Sequence, residues 1–148
     1  MTRDEEALVG ALGYVGAGSL ISAAEAVAAP PREPDSPLTP PAPLIGMVWT
    51  ALFACFGVAR ARLRGLPMER RLVDALWLMC VTYPLYTDGI RSRAATYAGN
   101  AVIAGTAGAI VARAREKGRK DVAALVAPVL PWVALTTLAL LTERRRRG

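Results

Sequence analysis

The sequence predicts an all-α integral membrane protein, a bundle of five transmembrane helices forming one domain over residues 1–148. Three observations carry that prediction. Hydrophobic residues make up 53% of the chain and charged residues 20%, more apolar surface than a soluble domain of this size buries. The charges crowd into short clusters and leave long stretches with none. Four of these stretches are long enough to cross a bilayer core, which takes about 20 residues of helix.

The first charge-free stretch, residues 7–24, follows an acidic start, MTRDEE, where a cleaved secretory leader would begin with positive charge. It therefore reads as a retained span over about residues 7–28. A connection over residues 29–43, APPREPDSPLTPPAP, comes next. Proline fixes φ and cannot continue a helix, so this loop is extended and semi-rigid. Its prolines, Pro37, Pro40 and Pro41 among them, are expected to cap one mouth of the bundle. The second span covers about residues 42–60. A third is expected over about residues 72–88, although its charge-free core, residues 75–87, is only 13 residues long. Leu72, Val73 and Asp74 extend it, and Pro84 removes a backbone hydrogen bond and predicts a kink. A re-entrant segment here would leave four spans. The fourth and fifth spans cover about residues 94–112 and 122–142, and the chain ends in ERRRRG.

Orientation stays open. Eleven of the 18 Lys and Arg fall on the amino-terminal side of five spans and seven on the other, a small bias on the positive-inside rule. The net charge of +6 does not indicate nucleic acid, because a nucleic-acid binder spreads its basic side chains over a docking face. These charges instead flank membrane spans.

The chain contains no His, so the commonest general base and metal or haem ligand is missing. Cys55 and Cys80 stand alone inside apolar runs, without metal-knuckle spacing. No catalytic residue, no metal site and no obligatory cofactor is expected, and the reading is not an enzyme.

Small residues recur at helical spacing in Gly18-xxx-Ser22 and Ala104-xxx-Gly108-xxx-Ala112, which lets neighbouring backbones approach within the chain or between chains. Trp49, Phe53 and Phe56 fall at i, i+4 and i+7 on one helical face, and Trp132 and Thr136 at i and i+4. An indole offers a wide π face and one N–H donor. Two indoles converging from different helices suit a flat, mostly apolar ligand carrying an acceptor, such as a porphyrin; packing of the bundle or an interfacial belt is the alternative. Polar groups inside spans mark function in membrane proteins. Thr82, Tyr86 and Thr136 are hydroxyl candidates, Asn100 needs a partner helix, and Glu25 and Asp74 lie near span ends, within reach of the interface.

Two segments carry a family resemblance. PLTPPAPLIGMVWTALFACFGVA, residues 37–59, resembles the start of the second helix of the translocator (tryptophan-rich sensory protein) family, with Pro37, Pro40, Pro41, Gly46, Val48, Trp49, Thr50 and Phe53 in matching order. AALVAPVLPWVALTTLALL, residues 123–141, is similar to that family's fifth helix at Pro128, Leu130, Trp132, Val133 and Thr137. ALWL, residues 75–78, matches its third helix more weakly. The resemblance implies a multi-pass protein of a bacterial cell membrane that binds a tetrapyrrole (porphyrin or haem-like) or similar hydrophobic ligand in a regulatory or transport-like role. It implies a pocket lined by Trp49, Phe53, Trp132 and Thr136, with Thr82 and Tyr86 on the third helix. The chain departs from the family in lacking a Trp-Tyr pair between Ala24 and Pro41 and the third-helix amides, whose places are held by Thr82, Tyr86 and Gly89. These losses favour the other reading, a structural accessory subunit docking on a larger membrane complex; a homodimer is open as well.

Overall fold

The computed structural model describes residues 1–28, 37–90 and 92–147, with side chains as far as residue 142. The elements are α1 (Arg3–Ala28), α2 (Ala42–Arg62), α3 (Pro67–Val81), a π-helical turn (Leu85–Gly89), α4 (Arg93–Glu116), α5 (Lys120–Val126) and α6 (Val129–Arg147). The described residues are helical apart from short connections and contain no strand. Four helices are long and apolar enough to cross a membrane: α1, α2, α4 and the α5–α6 unit over Lys120–Thr142.

Local chemistry sets the boundaries. At the start of α1, Thr2 and Glu5 form a capping box: the Thr2 hydroxyl accepts from the Glu5 N–H at 3.2 Å, and the Thr2 N–H donates to the Glu5 carboxylate at 2.6 Å. Prolines open α2 and α3, where a missing N–H costs nothing. Ser92 caps α4 by accepting from the Ala95 N–H at 3.3 Å. That helix ends in a Schellman motif: Gly118 takes φ +70°, its N–H reaches the Arg115 carbonyl at 3.0 Å, and the Arg119 N–H reaches that of Ala114 at 2.7 Å.

Proline also explains the two interruptions. Pro84 has no N–H to offer Cys80, so α3 closes at Val81 and the chain rewinds wider, with the Ile90 N–H reaching the Leu85 carbonyl at 2.8 Å. Pro128 and Pro131 likewise part α5 from α6, and the Leu130 N–H falls back on the Ala127 carbonyl at 3.0 Å.

Helix α2 sits at the centre, against α1, α3 and α5, while α4 packs on α3, the π turn, α5 and α6. Phe56, Leu76, Ile103, Ile110 and Val126 are fully buried between them. The closest approach is α1 against α2: a Cβ on Gly10 would lie 2.5 Å from the Gly57 carbonyl oxygen, and one on Gly57 would overlap the Gly10 backbone. The outer face of α1, with Leu8, Val9, Leu12 and Leu20, is exposed, as a lipid-facing surface is.

Among the described residues, ion pairs gather at the end that holds the start of α1. Arg64 pairs with Glu6, Arg62 with Asp121 at 3.5 Å, and Arg60 with Asp74 at 2.6 Å. The Glu69 side chain is buried, and one of its oxygens takes both Arg113 at 2.9 Å and Lys117 at 3.0 Å. This ties the start of α3 to the end of α4. Chiefly through Lys117, then its backbone contacts and Arg113, and against the opposing effect of burial, the Glu69 carboxyl is held down to about 2 from an ordinary 4.5. A depressed carboxyl stabilises the fold above its unfolded value and ceases to as pH falls through the folded one. Acidification between about 4.5 and about 2 is therefore expected to lower the melting temperature in detergent. Glu69→Gln should melt lower at neutral pH and lose less across that window; parallel acid profiles for the two proteins would refute the assignment.

Candidate functional site

The aromatic residues of four helices and the segment after α3 form a cluster that begins at Tyr14, beside the Arg60–Asp74 pair, and extends into the half of the bundle away from the other ion pairs. Trp49 lies one turn before Phe53 on α2, with ring centroids 5.8 Å apart. Trp132 from α6 meets Trp49 edge to face, at 6.2 Å and 88°. Tyr83 approaches Trp49 at 6.1 Å and Tyr86 at 5.6 Å. Phe53 touches Trp77 of α3 at 6.2 Å, and Trp77 touches Tyr14 of α1 at 4.9 Å. Offset and edge-to-face contacts at these separations are the favoured aromatic geometries.

A cleft of about 330 Å³ opens on one side of this cluster, between α1, the start of α2 and the end of α3. Trp49 and Phe53 supply its aromatic wall, Ser19, Ser22 and Thr50 its hydroxyls, and Cys80, Val81 and Pro84 its third side. Gly18 makes the wall: a Cβ there would lie 2.6 Å from the edge of the Phe53 ring, so only glycine lets the ring come this close to α1. The small-residue face Gly18-xxx-Ser22 thus serves contact within the chain.

The sequence-predicted site residues divide. Trp49 and Phe53 line the cleft, whereas Trp132 stands behind Trp49 and does not. The Thr82 hydroxyl donates to the Leu78 carbonyl at 2.8 Å and that of Thr136 to Val133 at 2.9 Å, so both turn back on their own helix. The Tyr86 hydroxyl donates to the Met79 carbonyl, and its ring packs on Gly99 of α4. Asn100 finds the partner helix it requires, donating to the Thr137 hydroxyl at 2.8 Å, and the Tyr83 hydroxyl lies beside Thr136 and Asn100. Of the loop prolines, Pro40 is half-buried while Pro37 and Pro41 are exposed, Pro41 immediately before the cleft residue Ala42. Residues 29–36 of the same loop lie outside the described residues.

Several polar groups sit differently from expectation. Glu25 is buried, one turn beyond Ser22, and neither carboxylate oxygen has a hydrogen-bond partner among the described residues. Asp74 is half exposed, as its place near a span end suggests, and it accepts from the Tyr14 hydroxyl and from Arg60 at 2.6 Å, which offsets its charge. The indole N–H groups of Trp77 and Trp132 are buried without acceptors among the described residues. Tyr14 and Trp77 are cluster members that the sequence did not single out, and Tyr83 stood out only as a polar group inside a span, because their phase depends on how α1 and the broken third segment face α2. The one available signal was composition: aromatics concentrated in residues 77–86. Among the described residues, no three potential metal ligands come together, and Cys55 and Cys80 are free thiols.

The sequence profile of the TspO/MBR family matches residues 7–142, nearly the whole chain. Neither curated proteins nor solved structures show a significant match. The match takes in both motif segments, around Trp49 and around Trp132, and with four membrane-length helices it supports a binding or transport-like role in a membrane. This chain is an integral membrane protein and belongs to the TspO/MBR family.

Proposed function

We propose that the protein is a membrane receptor for a flat hydrophobic ligand of the tetrapyrrole class, bound against Trp49 and Phe53, in a regulatory or transport-like role. The observation that carries this reading is the cleft's aromatic wall, backed edge-on by Trp132, with serine hydroxyls opposite. A volume of about 330 Å³ lies at the small end of ligand pockets, roughly 300–1,000 Å³, so the cleft takes one edge of a macrocycle and widens on binding. A ligand that parts Trp49 from Trp132 meets an indole N–H with no acceptor in the closed bundle. Supplying one completes that donor's hydrogen bond, worth a net of roughly 0.5–1.5 kcal/mol. The role is binding, with no step of covalent chemistry assigned to any residue.

The same reading takes the third segment as a fifth span of a bacterial cell membrane protein. Glu69 at its start contacts Arg113 near the end of α4, and Tyr86 near its end packs on Gly99 near the beginning of α4. The segment thus runs antiparallel to α4 over most of that helix, about 21 Å between Gly99 and Arg113 at helical rise.

The test is a porphyrin titration of the parent, Trp49→Phe and Trp132→Phe in detergent, with melting followed in parallel. Either Phe variant is expected to stay folded and to weaken binding by roughly 0.5–1.5 kcal/mol, the net size of one hydrogen bond. A second reading, the accessory subunit, draws on exposed Gly13, Gly16 and Gly105, where a Cβ would meet nothing and a helix of another chain can dock. No porphyrin binding by the parent at tens of micromolar, a free energy weaker than about −6 kcal/mol, would favour it.

A further inference from the structure

We infer that the protein carries a site for the headgroup of an anionic phospholipid where α4 hands over to α5, separate from the aromatic cleft. The connection from Arg113 to Lys120 holds five basic residues. Three of them are engaged by acids: Arg113 and Lys117 by the buried Glu69, and Arg119 by Asp121 at 3.3 Å. Arg115 and Lys120 have no ion pair among the described residues, and these two flank a groove of about 400 Å³ floored by Ala123, Ala124 and Ala127. Glu116, their acidic neighbour in sequence, does not line it.

The groove has two chemistries in one line. Its rim is two cations at the end of a membrane-length helix, where headgroups lie. Its floor runs from Ala123 to Ala127 along the next membrane-length unit, about 6 Å toward the hydrocarbon at helical rise. Methyl side chains leave room there for a glycerol backbone and the first methylenes. A free phosphate satisfies the rim alone; a phospholipid satisfies both. Basic pockets between membrane helices hold anionic lipid headgroups on this principle, with each Lys or Arg near the surface adding to the attraction. The zwitterionic lipids lack the net charge that two unpaired cations select.

The test uses the full chain reconstituted with phosphatidylglycerol or phosphatidylcholine and analysed by native mass spectrometry. The parent should retain one phosphatidylglycerol at least about tenfold better than phosphatidylcholine, and Arg115→Gln with Lys120→Gln should abolish that preference. Arg3→Gln with Arg71→Gln removes the same charge from the same side away from the groove, and should leave the preference intact. Ala127→Trp fills the floor without changing charge, and it too should lose the retained lipid. Equal retention of the two lipids by the parent, equal losses in both double variants, full retention by Ala127→Trp, or displacement of the lipid by excess inorganic phosphate would each overturn the assignment. Melting of each variant separates lost lipid from lost fold.

Discussion

Gly57→Val is expected to unfold at markedly lower temperature or denaturant than the parent, by about 2–3 kcal/mol, the upper range for overpacking. The reason is what lies opposite. A side chain at Gly57 runs into the backbone of Gly10 and Ala11, which cannot rotate away as a flexible side chain can. The two helices must separate, and separation strips contact from the most extensively packed pair in the bundle. In lipid, close van der Waals packing drives helix association, since burial from water contributes little there. Gly108→Ala is the matched control: its Cβ meets nothing within 4 Å, and the gain in helix propensity, up to about 1 kcal/mol, should leave that variant as stable as the parent or slightly more so. Unfolding followed in detergent for both variants checks the pair. A Gly57→Val protein that melts with the parent would show that α1 and α2 do not meet at these glycines.

Trp49→Ala should weaken porphyrin binding by about 2 kcal/mol, roughly 30-fold, the size at which one aromatic anchor dominates an interface. Trp49 is the residue on which the cluster converges: it touches Phe53, Tyr83 and Trp132 and lines the cleft as well. Truncation removes the stacking face and leaves Trp132 without the ring it abuts. Phe56→Ala, on the same helix but fully buried in the core, distinguishes site from scaffold: it should destabilise the bundle and leave affinity of the folded fraction unchanged. Equal affinities for the parent and Trp49→Ala would take the aromatic wall out of the site.

Much of this architecture was legible because the bilayer imposes a length. Charge-free runs of span length cannot be satisfied in water, so α1, α2, α4 and the α5–α6 unit stand out from the charges alone. The third segment resisted because its apolar core is short and Pro84 divides it, and the structure resolves this with a change of helix type. Trp49 and Phe53 could be placed on one face from their spacing. The position of Trp132 behind Trp49, and the recruitment of Tyr83, could not, since both depend on the rotational phase of helices broken by proline. The Gly10–Gly57 contact was equally hidden: a glycine in a membrane helix announces a close approach but not its partner. Thr82 and Thr136 looked like ligand hydroxyls in one dimension, yet in three they return to their own carbonyls.

The ion pairs and the cleft occupy opposite halves of the bundle, and that placement gives the molecule a handedness with respect to the membrane. One end is stapled; the other, where α1 finishes and α2 begins, can part without breaking an ion pair between described residues. Access to Trp49 is then a property of one leaflet. A hydrophobic molecule dissolved in that leaflet arrives by lateral diffusion between helix ends, while the same molecule in the opposite leaflet has to flip first. In the proposed binding role, a receptor built this way samples the contents of half a bilayer.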